Sequence, residues 1–154
     1  MTELKHVQDF LSHNRIAVLG VSRDPRDFSR VLFRELVKRN YDVVPVNPLI
    51  SMVEERHCYN DLKEITPPVE AVLLMTPPAV SEDVMQQCLE AGVKSVWFYR
   101  AAGKGAVSAN AVSFCKEHRI KYIEGHCPMM FLPDTGVVHR VHRFLAKMTG
   151  SYPK

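Results

Sequence analysis

Short segments that are apolar almost throughout alternate along this chain with segments of helical periodicity. The apolar segments are residues 15–21 (RIAVLGV), 42–46 (DVVPV), 70–75 (EAVLLM), 94–99 (KSVWFY) and 120–124 (IKYIE). Because strands that are apolar on both faces must be covered on both sides, this pattern is typical of a parallel sheet between two helical layers. The sequence therefore predicts an α/β, three-layer Rossmann-like fold whose five-stranded parallel sheet has the strand order 3-2-1-4-5, with helices on both faces.

The helical segments have recognisable boundaries. Helices are expected near residues 3–13, 28–40, 81–91, 108–118 and 135–148. Ser81 is expected to cap the third of these, and Gly92 follows it where a C-terminal glycine is favoured. The link between the second and third strands offers only a short helix, at residues 60–65.

Size and composition indicate one folded unit. The chain has 154 residues, of which 46% are hydrophobic and 24% are charged, as in ordinary globular domains. We therefore expect a single domain over residues 1–154, with its core at about 10–133 and a C-terminal helix at about 135–148.

The net charge indicates which class of partner the protein binds, and the cysteines indicate its cellular compartment. The net charge is +3, without the dense basic stripe of nucleic-acid-binding proteins, so an anionic small molecule is the expected partner and nucleic acid is not. Residues 1–12 contain acids and no apolar run, and no segment approaches a transmembrane length, so no membrane association is expected. The four cysteines form no CxxC pair and are expected to be reduced, mostly buried thiols, which favours the cytoplasm.

The first loop, residues 20–27 (GVSRDPRD), has features of a phosphate site. A dinucleotide fingerprint would place glycines at 20, 22 and 25, but only Gly20 is present. Ser22 can donate an amide and a hydroxyl hydrogen bond, the following helix directs free amides to the same place, and Arg23, Arg26 and Arg30 add positive charge. The alternative is a structural turn with solvated arginines.

The loops after the second and third strands argue against ordinary NAD binding. An NAD enzyme usually has an acidic residue after the second strand, where this chain has Val46-Asn47-Pro48. Thr76-Pro77-Pro78 closes the third strand and could form an apolar wall against an adenine or a pantetheine arm, although proline is also common after strands.

Taken in order, these residues resemble a known family. The matching positions are Gly20-Val21-Ser22-Arg23, Arg30-Val31, Val46-Asn47-Pro48, Trp97 and Cys127-Pro128. The chain resembles, over about residues 10–133, the Rossmann-type CoA-binding domain family, which is similar to the N-terminal CoA-binding domain of the succinyl-CoA synthetase alpha subunit. After the Val-Asn-Pro turn many relatives have a lysine, but Leu49-Ile50 follow here. Tyr99-Arg100-Ala101 stands where a glutamine and a glycine are common, and Arg100 or Lys104 could supply the missing positive charge.

The resemblance implies coenzyme A or a short acyl-CoA as the ligand. By position, Gly20, Ser22 and Arg23 would meet the phosphates, with Arg30 behind them, and Val21 is a further implied cofactor-binding residue. The residues implied beside the adenosine end are Val46, Asn47, Pro48, Thr76, Pro77 and Pro78.

Neither a catalytic nor a metal site is predicted. Cys127 follows His126, but neighbouring side chains on an extended chain point in opposite directions, so a buried structural thiol is favoured over a nucleophile. His139 and His142 are spaced to share a helix face, but no further ligand completes a metal site there. The basic 137–148 segment is expected to pack on the sheet rather than bind an acidic partner or membrane.

Three functions follow from these observations. The favoured one is a non-catalytic module that binds or senses CoA or a short acyl-CoA, a small nucleotide ligand, in the cytoplasm. The alternatives are an NAD(P)-dependent oxidoreductase, which depends on the fold class alone, and a ligand-free interaction domain that forms a homodimer or binds another protein.

Overall fold

A computed structural model describes residues 3–100 and 105–132 of the chain. The helices are α1 (Glu3–Ser12), α2 (Phe28–Lys38), α3 (Pro78–Glu90) and α4 (Ala109–Glu117). The strands are β1 (Arg15–Leu19), β2 (Asp42–Val46), β3 (Met52–Val53), β4 (Arg56–His57), β5 (Ala71–Leu74), β6 (Ser95–Phe98) and β7 (Lys121–Glu124). The helix expected at 135–148, with His139 and His142, lies outside the described residues.

The main sheet confirms the fold class but not the strand order. It has five strands in the order β2-β1-β5-β6-β7, and all neighbouring pairs are parallel. Numbered along the chain, this order is 2-1-3-4-5, so the expected order 3-2-1-4-5 is wrong. The third main-sheet strand, β5, lies beside β1 in the interior, not at an edge. Because each of these strands is apolar on both faces, periodicity does not specify which strands are neighbours.

Helices cover both faces of the sheet, as the sequence predicts. Ile16 and Val18 of β1 pack into one apolar cluster with residues of α1 and α2, whereas Ala17 and Leu19 pack into the other with residues of α3 and α4. Successive side chains of a strand point to opposite faces, which explains this division. Every cluster member is buried, so both clusters form the core.

Trp97 of β6 fixes helix α1 to the sheet. Its ring is fully buried and meets Phe10 of α1 edge to face, with the ring centroids 5.3 Å apart. The indole Nε1 donates a hydrogen bond of 2.9 Å to the carbonyl oxygen of Gly125, which follows β7. A buried indole thus has the polar partner that it requires.

Helix α3 begins three residues earlier than the sequence analysis expects. Pro77 is its N-cap and Pro78 its first residue, so Ser81 lies inside the helix and does not cap it. Proline suits a first helical position because that position needs no N–H group within the helix. The Ser81 hydroxyl is 2.8 Å from the Thr76 hydroxyl, and it also donates to the Pro77 carbonyl oxygen. The predicted glycine end is confirmed, because Gly92 follows the C-cap with a φ of 76°.

The connection from β2 to β5 contains a small hairpin that the sequence analysis did not anticipate. Strands β3 and β4 pair antiparallel, and Glu54 and Glu55 form the two-residue turn between them. A short 3-10 helix, Leu62–Glu64, follows and is capped by the side chain of Asp61. We call residues 52–57 the hairpin.

Within the described ranges, no helix combines the length and apolar character needed to cross a membrane. Over the same ranges, His, Cys, Asp and Glu side chains form no group of three or more that could hold a metal ion.

Candidate functional site

Three loops meet at the carboxyl edge of the sheet. The first loop follows β1, residues 47–51 follow β2, and Thr76-Pro77 follows β5. In open α/β sheets, ligands bind at this edge where the strand order reverses. In the order β2-β1-β5, this point, which we call the switch point, lies between β1 and β5. Helix α2 leads from β1 to β2 on one side of β1, and the later connection leads from β2 to β5 on the other side.

The backbones of the first loop and of the β5 loop are in close contact at Gly20. Its φ is 90°, and a Cβ atom there would overlap the carbonyl group of Met75. Only glycine combines this backbone conformation with so close an approach. The glycine that the sequence analysis assigned to a tight turn therefore also joins two loops at the switch point.

Asn47 joins the loop after β2 to the first loop. Its Nδ2 donates to the Val21 carbonyl oxygen at 3.0 Å, and its Oδ1 accepts from the Leu49 amide at 2.8 Å. Both ends of the carboxamide are therefore engaged by the protein. The following Pro48 is exposed.

Ser22 makes hydrogen bonds within the first loop and to the first turn of α2. Its amide donates to the Ser29 hydroxyl at 2.9 Å, and its own hydroxyl accepts from the Asp24 amide at 3.1 Å. The Ser29 hydroxyl in turn donates to Asp27, whose carboxylate also caps α2 by accepting from the Ser29 amide. The Ser22 amide, which the sequence analysis assigns to a phosphate, thus binds Ser29, whereas the Ser22 hydroxyl accepts a bond and does not use its own hydrogen in it. The Asp27 carboxylate lies at the start of α2.

The arginines of the first loop and of α2 have different partners. Arg23 is exposed and donates to the Leu49 carbonyl oxygen at 3.0 Å, spanning the loops after β1 and β2. Arg26 pairs with Asp24, and this hydrogen bond lowers the pKa of that carboxyl. Among the arginines between residues 20 and 30, Arg23 is the one whose guanidinium has no carboxylate partner within residues 3–100 and 105–132.

Arg30 lies behind the first loop, which is where the resemblance places it. Its Nη1 donates to the carbonyl oxygens of Ser22 and Arg23, both at 3.2 Å, and its Nη2 donates to Glu54 at 2.5 Å. The side chain is only 11% exposed. Arg30 therefore supports the loop from the side of its carbonyl groups.

Three of the expected site residues have buried side chains. Val21, Val46 and Thr76 are at most 8% exposed, and the Thr76 hydroxyl is taken up by Ser81. A ligand could reach only their backbone atoms. Pro77 is exposed and Pro78 is half-buried, so these rings remain accessible beside the switch point.

The first turn of α3 is a site feature that the sequence analysis missed. Its N-cap residue, Pro77, makes no side-chain capping bond, and Ala79 and Val80 are exposed in its first turn. The first amides of a helix have no partner within it and carry partial positive charge. The signal is the Pro77-Pro78 pair, because proline is favoured at the first helical position.

Cys127 and His126 do not form a nucleophilic pair. The His126 ring lies 3.3 Å from the Glu3 carboxylate of α1, and its φ of 64° turns the backbone there. Cys127 is 5% exposed, and burial raises the pKa of its thiol to about 11. The expectation that Cys127 is buried is confirmed.

Arg100 lies on the β7 side of the sheet. Its amide donates to the His126 carbonyl oxygen, and its side-chain carbons lie beside Gly125. The other candidate replacement for the missing lysine, Lys104, lies outside the described residues.

Sequence comparison relates the chain to proteins with this kind of domain. A family model described as CoA binding domain matches residues 14–133. The uncharacterized protein YneT of Bacillus subtilis (strain 168) is 29% identical over 103 residues, which cover 67% of this chain and 73% of YneT. The alpha subunit of acetate–CoA ligase [ADP-forming] II of Pyrococcus furiosus is 31% identical over 88 residues, or 56% of this chain, and the match spans only 19% of the ligase subunit.

Solved structures share the fold. A hypothetical protein from Pyrococcus horikoshii OT3 superposes with a TM-score of 0.76 at 26% identity, covering 84% of this chain and 88% of that protein. The family match extends over most of the chain, from the residue before β1 to the end of the described region. The chain therefore belongs to the CoA-binding domain family.

Proposed function

We propose that this protein binds coenzyme A or a short acyl-CoA at the carboxyl edge of its sheet and acts as a binding or sensor module without catalysis of its own. The observation that carries the proposal is the junction of three loops at the switch point. Gly20 contacts the Met75 backbone, and Asn47 is bonded to Val21. Family membership supplies the class of ligand.

The residues at this edge fit an anionic nucleotide. The first turn of α3, whose N-cap Pro77 makes no side-chain capping bond, offers amides to a phosphate. Arg23 uses one of its five donors on Leu49, so others remain for a phosphate. The exposed Pro77 ring supplies apolar surface for an adenine or a pantetheine arm.

The state of the candidate catalytic residues, Cys127 and His126, supports a role in binding without catalysis. The thiol of Cys127 is buried with a raised pKa, which disfavours the thiolate that a nucleophile needs. His126, the neighbour of that thiol in the sequence, has its ring nitrogen 3.3 Å from the Glu3 carboxylate. The related ligase subunit is about five times longer than the matched region, so its activity is not transferred to this chain.

Use of a nicotinamide cofactor has less support. The position after β2 that usually accepts bonds from a ribose holds Asn47, whose carboxamide oxygen already accepts from Leu49.

Isothermal calorimetry with CoA and with 3′-dephospho-CoA tests the proposal. We expect CoA to bind and to bind more tightly, because the additional phosphate meets the positive charge at this edge. Equal affinity for the two ligands, or no detectable binding of either, would overturn the proposal. Native mass spectrometry of freshly purified protein reports any retained ligand and the number of subunits.

A matched pair of variants locates the site. Ser22→Glu places a bulky carboxylate in the first loop and should abolish CoA binding. Ser12→Glu makes the same change at the exposed end of α1, on the opposite edge of the sheet, and should leave binding unchanged. Loss of binding in both variants would argue against a site at the first loop.

A further inference from the structure

We propose that Glu54, at the tip of the hairpin, is a positioning residue for the first loop and acts through two arginines of α2. The inference rests on the proposed function, because it concerns how the binding loop is held. It begins with a set of hydrogen bonds that links three separate segments of the chain. These segments are the first loop, one face of α2 and the turn between β3 and β4.

Arg30 connects Glu54 to the centre of the first loop. Its Nη1 bonds the carbonyl oxygens of Ser22 and Arg23, and its Nη2 bonds the Glu54 carboxylate. Both Nη1 hydrogens are thus used on the loop. Since the side chain is 11% exposed, water competes little for these bonds.

Arg34 makes a parallel connection one helical turn later. Its Nη1 donates to the second Glu54 oxygen at 2.9 Å, and its Nη2 donates to the carbonyl oxygen of Pro25 at 3.0 Å. Two guanidinium groups at positions i and i+4 of a helix repel each other unless an anion lies between them. Glu54 supplies that anion, with one carboxylate oxygen for each arginine.

The turn that carries Glu54 has an unfavourable backbone. Glu54 and Glu55 have φ values of 47° and 65°, in the left-handed region that a two-residue hairpin requires and that Gly or Asn usually occupy. Such a conformation persists when the surrounding contacts determine it. The bonds from Arg30 and Arg34 are the contacts that hold this turn against α2.

The arrangement decides which way the amides of the first loop point. In a planar trans peptide, a carbonyl oxygen and the following N–H point in opposite directions. Since the Ser22 carbonyl faces Arg30, the Arg23 amide faces away from it. The next amide, of Asp24, is bound by the Ser22 hydroxyl, so of these two amides it is the Arg23 amide that faces away from Arg30. Glu54 therefore sets the direction of this donor without contacting the ligand itself.

The test compares Glu54→Gln with Glu55→Gln. The two variants make the same change in charge in the same turn, but Glu55 is exposed and makes no ion pair with the described residues. We expect Glu54→Gln to weaken CoA binding about fivefold to tenfold in calorimetry. Glu55→Gln should stay within about twofold, and Glu54→Asp, which keeps the carboxylate, should recover part of the loss.

Amide hydrogen exchange provides a readout that needs no ligand. In Glu54→Gln the amides of residues 22–26 should exchange faster, while those of the central strands β1 and β6 keep their protection. That contrast separates a local effect on the loop from a general loss of stability. If wild-type protein binds no CoA, the proposed function fails, and the exchange data still decide whether Glu54 holds the loop.

Three results would overturn the positioning role. They are equal CoA affinity in the Glu54→Gln and Glu55→Gln variants, tighter binding in Glu54→Gln, and unchanged exchange in the first loop. Tighter binding would mean that Glu54 competes with the ligand for the arginines. If Glu54→Gln does not fold, Arg34→Gln replaces it, because Arg34 is 45% exposed and Arg30 then keeps its bonds. An Arg34→Gln variant with wild-type affinity and exchange would count against the proposal in the same way.

Discussion

The carbonyl oxygen of Met75 lies 2.3 Å from the point that a Cβ atom on Gly20 would take. This distance is far inside van der Waals contact, and the obstructing atoms belong to backbone, which has little freedom to move. The loops that follow the neighbouring strands β1 and β5 are thus in backbone contact where they leave the sheet. Because of this contact, the backbones of the two loops are continuous with each other at the switch point.

Replacing Gly20 with alanine should destabilise the protein more than the same change at Gly92. Both glycines have a positive φ, but a Cβ atom at Gly92 would meet nothing within 4 Å. Each variant should lose about 1–2 kcal/mol from backbone strain. Gly20→Ala should lose at least about 1 kcal/mol more from the overlap with Met75. Urea unfolding measures both, and equal losses would show that the close approach is relieved at no cost.

Replacing Asp27 with asparagine should strengthen CoA binding. Asparagine keeps the capping oxygen of α2 but removes a negative charge beside the proposed phosphate site. At low salt the affinity should rise about twofold to fivefold, as expected for removing a like charge near a helix N-terminus. Asp61→Asn is the matched control, because Asp61 caps the short helix at Leu62–Glu64 in the same way. An equal or lower affinity in Asp27→Asn would place the anionic part of the ligand elsewhere.

The contribution of Glu54 to stability should disappear in acid. Hydrogen bonds from Arg30, and then from Arg34, lower the pKa of this carboxyl below its ordinary value of 4.5. A group whose pKa is lower in the folded state stabilises the protein above its unfolded pKa, and loses that effect as the pH falls through the folded pKa. Wild-type protein should therefore be more stable than Glu54→Gln at pH 7, and the difference should shrink as the pH falls below the ordinary pKa of a glutamate and through the lowered pKa of Glu54. Urea titrations across this pH range measure the difference in the free energy of unfolding. A difference that stays constant with pH would contradict the ion pairs of Glu54 with Arg30 and Arg34.

The four cysteines should resist thiol reagents in the native protein. All are buried, and desolvation raises the pKa of Cys88 and Cys115 to about 12 and that of Cys127 to about 11. Since the thiolate is the reactive form, labelling with a disulfide reagent at pH 8 should be slow until denaturant is added. All four thiols should then react. A thiol that reacts rapidly in the native state, above all Cys127, would revive the possibility of a nucleophile.

Much of the fold could be predicted from the sequence because its signals are local. The run at residues 15–19 is apolar on both faces, and the stripe of Val84, Met85 and Cys88 has the period of a helix; both patterns report burial directly. Gly20 is also a local signal, because few other residues tolerate the backbone conformation of the tight turn after β1.

The site was predicted less completely. The sequence analysis assigns Ser22 to the phosphates and Arg30 to a place behind it, but it does not predict that Ser22 bonds Ser29 or that Arg30 bonds the loop carbonyls and Glu54. A polar side chain has many possible partners, and the residue that satisfies it can be distant in the chain. Glu54 lies 24 residues after Arg30, and nothing in its immediate sequence marks it.

The sequence by itself determined that this chain alternates strands and helices, which residues form the core, and where the first loop must contain glycine. Only the tertiary structure decided that β5 lies beside β1 and that the hairpin reaches back to α2. The physical reason is that the preference of a residue for burial and for a backbone conformation depends mainly on the residue itself and its neighbours in the sequence. Strand order and ion-pair partners depend instead on how distant segments meet.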